Sequence, residues 1–443
     1  MFIFPKSVQQ IFADFTKAKY EICLVGGCVR GLLMNHQVED WDFTTNAVPE
    51  EILKLYPDSY YDNKFGTVWI PQTDMPAIQI TTYRIESDYA DNRHPEIVKW
   101  GKTIEEDLSR RDFTINALAM TSDQKLTDPY QGREDIKNKI IRCVGNPDER
   151  FVEDGLRIMR AIRIAAQLGF VIEEKTLLSI QKNSALISNI SGERIRDELI
   201  KLLKSDNASD GIRIMCNCGI LQYILPELAN SCAIAQAKHH KYDVYNHLLE
   251  SLKHCPSNDW LIRFATLLHD IGKPVVAQGK GQNRTFYNHE IVGAKMAYAI
   301  CQRLHFTKED REKLCLLIRW HMFSTVEFLS DSAVRRFIRR IGPENIKNMI
   351  DLRIADRLGG GDTPPTSWRL NLFMKRLIDV QKHTPSVKDL QVNGHDVMEI
   401  LKIKPGPQVG QILNTLFEEI TDDPEKNERD YLLKRIKELT INV

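Results

Sequence analysis

The chain lacks any net charge: 60 Lys and Arg stand against 60 Asp and Glu over 443 residues. A global basic field is therefore excluded, and any surface for a polyanion must be a local patch. Nine cysteines are scattered, with only Cys216 and Cys218 close in sequence and no second pair to complete a zinc site. This reads as reduced thiols and excludes a disulfide framework. No apolar run reaches the roughly eighteen residues a membrane span needs. The opening MFIFPKSVQQ has no basic stretch followed by an apolar core. Neither span nor signal peptide is expected, and a cytoplasmic location is. The 42% apolar and 27% charged residues are those of an ordinary globular chain. Its length allows about three domains.

What is present is concentrated in residues 22–46, ICLVGGCVRGLLMNHQVEDWDFTTN. A short apolar run stops at Gly26-Gly27, which predicts a buried strand entering a tight turn. A helix over 29–34 and a second strand over 40–43 follow. Residues two apart on a strand share a face, so Asp40 and Asp42 offer two carboxylates side by side. That pattern suits two divalent cations clamping a phosphoryl transfer. Gly26 and Gly27 let backbone N–H groups approach an anion, the following helix points its positive end there, and Arg30 adds a guanidinium. One stretch thus predicts metal ligands and a triphosphate cradle.

Strand, Gly-Gly, Arg and strand-borne Asp-x-Asp together resemble the first motif of the tRNA nucleotidyltransferases, the CCA-adding enzymes, and of their relatives the bacterial poly(A) polymerases. Gly31 stands where the family's Gly-Gly-x-Val-Arg-Asp has its acidic residue, a change that touches no metal ligand. Gln79 stands where an acidic residue is frequent, so only two carboxylates are counted. Residues 85–105 are polar and turn-rich, at the place of a flexible loop that the family needs to finish with adenosine. SRRDFTINALAM, residues 109–120, is similar to the second motif, and its later half predicts a helix. Arg110 and Arg111 offer forked donors for phosphate or ribose oxygens. The resemblance gives Arg111 a nucleotide contact, and Asp112 can accept from a hydroxyl. The turn over 128–135 resembles the third motif.

From Glu149 the chain reads as helical. In ERFVEDGLRIMRAIRIAAQLGF, Leu156, Met159, Ile162 and Ala166 line one face, with Asp154 and Arg157 together on the other. Glu-Asp-x-x-Arg-x-x-Arg resembles the motif with which the family reads the incoming base without a template. A carboxylate accepts from the amine shared by cytosine and adenine, and an arginine donates to ring acceptors. Arg160 and Arg163 extend the basic run toward phosphate or primer. Residues 191–198, SGERIRDE, resemble the last neck motif and read as support for this helix.

A second constellation is His247, His269-Asp270, His289 and His321 on successive predicted helices, which suits a divalent metal. It resembles the HD phosphohydrolase domain, whose members hydrolyse phosphomonoesters or 2′,3′-cyclic phosphates. Asp351 and Asp356 both stand as closing carboxylates. Arg335, Arg336, Arg339 and Arg340 form a stripe read as a solvated helix face or an RNA contact. GGGDTPPTS, residues 359–367, reads as a linker.

The expected fold is α+β: a mixed-sheet nucleotidyltransferase head over 1–145, then an all-α remainder. That remainder divides into a base-reading neck over 146–205, a body with the HD metal site over 206–360 and a tRNA-binding tail over 361–443. The resemblance implies CCA addition to the tRNA 3′ end from CTP and ATP, with Mg²⁺ on Asp40 and Asp42. It places Gly27, Arg30, Arg111, Asp112, Arg160 and Arg163 on the nucleotide, and Asp154 with Arg157 on its base. A second divalent transition metal is expected in the HD site, and no obligate protein partner is evident. The alternatives are a poly(A) polymerase, an A-adding tRNA nucleotidyltransferase, or an HD phosphohydrolase.

Overall fold

The computed structural model describes residues 2–62, 66–73, 75–89, 95–232, 234–236, 241–361, 364–382 and 387–439. Two compact units form: Met1–Cys232 with Ala299–Lys308, and Ala233–Tyr298 with Glu309–Val443. No helix among the described residues is long and apolar enough to cross a membrane.

In the first unit the helix Lys6–Lys17 puts Val8, Ile11, Phe12 and Phe15 on one buried face, as its spacing dictates. Up to residue 127 nine strands follow among the described residues: β1 (Ile22–Val25), β2 (Asp42–Thr45), β3 (Tyr60–Asp62), β4 (Thr67–Ile70), β5 (Ile78–Thr82), β6 (Arg84–Tyr89), β7 (Pro95–Trp100), β8 (Ala119–Met120) and β9 (Leu126–Thr127). Seven of them make one sheet in the order β3-β4-β5-β2-β1-β8-β9. β1 is antiparallel to β2 and β8, whereas β2 is parallel to β5, so the sheet is mixed. Phe12 meets Phe43 edge-on at 5.1 Å, which seats the first helix against the sheet. The α+β class is the one expected.

Local boundaries differ from the expectations in informative ways. β2 begins at Asp42, so Asp40 precedes the strand; the ladder to β1 starts only at the Leu24–Phe43 pair, one residue before β1 ends at Val25. The first-motif helix is Gly27–Leu33, two residues earlier than predicted at its start. The later half of 109–120 is not a helix. It is a single 3₁₀ turn, Thr114–Asn116, running into β8, whose Ala119 and Met120 pair with Val25 and Leu24. Burial beside β1 overrides the helix propensity of Ala, Leu and Met. Segment 85–105 holds the hairpin β6–β7, and its tip, residues 90–94, lies outside the described residues. The neck is not wholly helical either, since Ile140–Ile141 pairs in parallel with Val171–Ile172.

The second unit is helical. Val244–Lys253, Trp260–Leu268 and Ile346–Gly359 pack closely enough that a Cβ at Gly359 would lie 2.0 Å from Ser251 Oγ. Near the C-terminus Leu416, Ile420, Leu432 and Ile436 make a separate small core.

Gly132 opens the helix Gly132–Asn138 beneath the 3₁₀ turn, and a Cβ there would sit 2.1 Å from Thr114 O. Gly132→Ala should therefore destabilise the first unit by about 1–3 kcal/mol, the usual cost of overpacking. A denaturant midpoint equal to wild type would show that the turn can yield.

Candidate functional site

β1 runs into Gly26, which holds φ at 72° and donates its N–H to Leu118 O at 3.2 Å. A Cβ on Gly26 would come 2.9 Å from Arg111 Nη1, so a side chain there would push that guanidinium away from the turn. Arg30, in the helix that follows, donates to Asn116 Oδ1. Asn116 Nδ2 in turn donates to Asp112 Oδ1 at 2.9 Å, and Arg160 Nε donates to Asp112 Oδ2 at 2.9 Å. Gly27, Cys28, Arg30, Gly31, Asp40 and Asp42 are among the residues lining one cavity of about 290 Å³. The structure thus brings both aspartates, the glycine turn and Arg30 together, with Arg111 beside them.

The electrostatics fit cation and polyphosphate. Burial pushes the Asp42 carboxyl up; Arg111 draws it down and the Asp40 carboxylate pushes it up again. Neither aspartate side chain has an ion-pair partner among the described residues. Two adjacent carboxylates so placed are a donor set for a hard divalent cation. Burial pulls Arg30 below its ordinary value; Asp112 supports it, but Arg163 and Arg160 repel it. An anion between these guanidiniums would relieve that repulsion. In the ladder Gln79 lies opposite Asp42, on the same face of the sheet. The uncharged residue therefore occupies the place from which a third carboxylate would reach the cation.

Some site residues are placed differently from expectation. Asp112 is buried, with both oxygens engaged by Phe113 N, Asn116 and Arg160. Burial opposes its charge, yet Arg160 and Asn116 hold its carboxyl well below the usual range. It is a strut inside the protein before it is a ribose acceptor. Arg110 and Arg111 follow the end of the helix Ile104–Ser109, where cations complement the dipole, and do not open a helix. Asp154 and Arg157 do not form a pair on one helix face. The chain breaks between Pro147–Glu153 and Leu156–Leu168, with Asp154 extended at φ −147°, ψ 104°. Asp154 accepts from Arg194 at 2.8 Å, while Arg157 is tied to Glu153 and to the carbonyls of Arg150 and Arg110. Arg163 is held by Glu198 at 2.8 Å. Asn116, Arg194 and Glu198 are partners the sequence reading did not assign to the site. Asn116 lies inside the second motif and Arg194 and Glu198 inside the last, which was the available signal.

In the second unit the expected ligands converge. His247 Nε2 lies 3.4 Å from Asp270 Oδ2, and His289 Nε2 lies 3.2 Å from Asp270 Oδ1. Two three-residue sets result, His247–His269–Asp270 and Asp270–His289–His321, sharing the one carboxylate. The open choice of closing carboxylate falls to Asp356, 3.2 Å from His247 Nε2, whereas Asp351 is bound to Lys347 at 2.7 Å. Nδ1 of His269, His289 and His321 faces the carbonyls of Thr266, Phe286 and Ile318, which turns each Nε2 inward. Burial opposes a charge on His269, but Asp270 and Asp356 raise it to about 10. The carboxylates call for positive charge, and a divalent cation would supply it. In the arginine stripe, Arg340 stacks on Trp320 at 4.6 Å and Arg339 lies 3.8 Å from Glu418, so neither is simply solvated.

Family models match in the same order: Poly A polymerase head domain over 22–142, Probable RNA and SrmB- binding site of polymerase A over 169–232, HD domain over 238–360, and tRNA nucleotidyltransferase domain 2 over 375–436. The CCA-adding enzyme of Ligilactobacillus salivarius (strain UCC118) is 31% identical over 440 residues, 98% of this chain and 96% of that one. The A-adding tRNA nucleotidyltransferase of Deinococcus radiodurans is also 31% identical, over 89% of this chain and 90% of its own. Matches to CCA-adding enzymes of Geobacillus are tighter but cover about half of each chain. Among solved structures, the Bacillus stearothermophilus CCA-adding enzyme in complex with CTP shares the fold, with a TM-score of 0.72 at 24% identity over 99% of this chain and 100% of that one. Head and helical units together define a nucleotidyltransferase with an HD domain. The chain belongs to the CCA-adding enzyme family, and that family and the HD domain both imply dependence on divalent metal.

Repulsion between Asp40 and the half-buried Asp42 costs stability that a cation would recover. Asp42→Asn should raise the thermal midpoint in chelator and abolish the further rise on adding Mg²⁺. A Mg²⁺-dependent shift of wild-type size in this variant would remove Asp42 from the ligand set.

Proposed function

We propose that this chain adds C, C and A in turn to the 3′ end of tRNA from CTP and ATP, without a template. What carries the reading is the convergence of Asp40, Asp42, Gly27 and Arg30 on one cavity of the head, with Arg111 lying against the adjoining Gly26 turn. Asp40 and Asp42 would hold Mg²⁺, which when bound activates the primer 3′-hydroxyl and neutralises the leaving pyrophosphate. Gly27 and Arg30 take the triphosphate, and Arg111 contacts it over the Gly26 turn. Asp112 and Arg160 stiffen that cradle, and Arg163 adds to its positive field. Asp154 accepts from the amine common to CTP and ATP, held in place by Arg194. Arg157 exchanges Glu153 for a ring acceptor when it joins Asp154 on the base. No side-chain general base is assigned. A head over 1–145, neck over 146–205, body over 206–360 and tRNA-binding tail over 361–443 is the division of labour that accompanies this reading, in the cytoplasm.

The test is purified protein with tRNA ending at the discriminator base, given CTP, ATP or both. Addition of CC from CTP and CCA from both is expected. Incorporation of ATP only onto tRNA already ending in CC would instead make this an A-adding enzyme, like the Deinococcus relative, and untemplated A-tails a poly(A) polymerase. In the same assay Asp154→Ala should slow CTP and ATP while narrowing their advantage over UTP and GTP by about tenfold, the effect of one buried polar mismatch. Unchanged selectivity with an intact fold would show that Asp154 does not read the base.

The six-residue centre of the second unit favours a second activity, metal-dependent hydrolysis of phosphate esters, with Asp270 shared between two ligand sets. Lys273, Arg284 and Arg353 line a cavity of about 630 Å³ beside it and suit an anionic ester. His269→Ala with Asp270→Ala should abolish hydrolysis of a chromogenic phosphomonoester or a 2′,3′-cyclic nucleotide and leave CCA addition within a few-fold. Loss of nucleotide addition in a folded double variant would end the claim that the sites act independently.

A further inference from the structure

Asp107 is fully buried, yet it lies on the short helix that leads into the second motif. A carboxylate there is costly unless its oxygens are matched by cationic donors. Oδ1 accepts from Arg110 Nε at 2.9 Å and Nη2 at 2.6 Å, and Oδ2 accepts from Arg111 Nη2 at 3.1 Å. The two arginines are used unequally. Arg110 spends two N–H groups on Asp107. Arg111 gives Asp107 a single N–H and turns the rest of its guanidinium toward the Gly26 turn, where Nη1 fills the place a Cβ would take. Its Nε–H is buried and has no acceptor among the described residues. A buried donor left unmatched at the edge of a site signals an acceptor that arrives from outside the protein.

We propose that Asp107 is a positioning residue for nucleotide binding: it fixes Arg111 over Gly26 so that its unmatched N–H groups meet a phosphate oxygen of the incoming nucleoside triphosphate. This rests on the nucleotidyl-transfer reading above. Asp107 touches no substrate. A guanidinium on a flexible stem would otherwise lose rotamer freedom on binding, and the buried carboxylate removes that loss in advance. Because phosphate is common to all four triphosphates, the effect falls equally on CTP and ATP and leaves base choice alone.

The experiment is a double-variant cycle on the full chain with Asp107→Asn, Arg111→Ala and both together. KM and kcat for CTP and ATP would be measured on tRNA primers, with thermal midpoints alongside. Asp107→Asn should raise KM for CTP and ATP by the same factor, about tenfold, with a much smaller change in kcat. Arg111→Ala should do likewise, and the double variant should be no worse than Arg111→Ala alone. A purely structural role would lower the midpoint and give losses that multiply in the double variant; that result, or an unchanged KM in folded Asp107→Asn, overturns the proposal. Should Asp107→Asn fail to fold, Asp107→Glu keeps the charge but displaces it by a methylene. It should raise KM in the same direction, and a wild-type KM there overturns the proposal equally. Wild-type protein that transfers no nucleotide would instead sink the functional reading on which the proposal rests.

Discussion

A carboxylate buried as fully as that of Asp112 stays ionised only if the protein surrounds it with donors, and meeting that need organises the nucleotide end of the first unit. Arg160 comes from the long neck helix, Asn116 from the 3₁₀ turn ahead of β8, and Arg30 joins through Asn116 from the first-motif helix. Three segments distant in sequence are thereby held at fixed separations by one negative charge. Such a network is rigid because each member is satisfied by the next, and removing any one leaves a buried charge exposed to low dielectric. The guanidiniums that would meet a triphosphate are positioned before it arrives. The protein has already met the cost of bringing like charges together.

The same logic explains what could be read in the chain before its structure. Ile22–Val25, the glycine turn and the two aspartates were legible because each rests on local rules: an apolar run, a residue free to take positive φ, and alternation along an extended segment. The fold class followed from short alternating runs giving way to helical periodicity. What was not legible depended on partners far away. The helix formers Ala117, Leu118 and Met120 are drawn into or beside a strand because β1 offers them a buried ladder. The break at Asp154 falls at Asp154-Gly155, a turn-favouring pair whose signal the helical periodicity on either side outweighed. The choice between Asp351 and Asp356 could not be made from spacing, because both lie on one helix and only packing decides which faces the histidines.

Gln79 joins sequence and chemistry. Its register opposite Asp42 puts an uncharged amide where a carboxylate would add charge to the cation site. On the proposed reading the head would work with two carboxylates, one of them exposed, and these would supply few of the six ligands a magnesium ion requires. Phosphate oxygens and water would complete the shell. Metal and nucleotide would then bind most tightly together, and the site would be complete only with substrate in it.

The HD centre is built on the opposite plan. Its histidines are almost wholly buried, three have their outer nitrogens fixed by backbone carbonyls, and Asp270 is common to both ligand sets. Such a donor set is formed by the fold itself and needs no substrate to complete it. The imidazole nitrogens favour borderline transition metals over magnesium, whereas the all-oxygen site of the head favours magnesium. If both proposed chemistries operate, the different ligand softness of the two sites would lessen their competition for one ion.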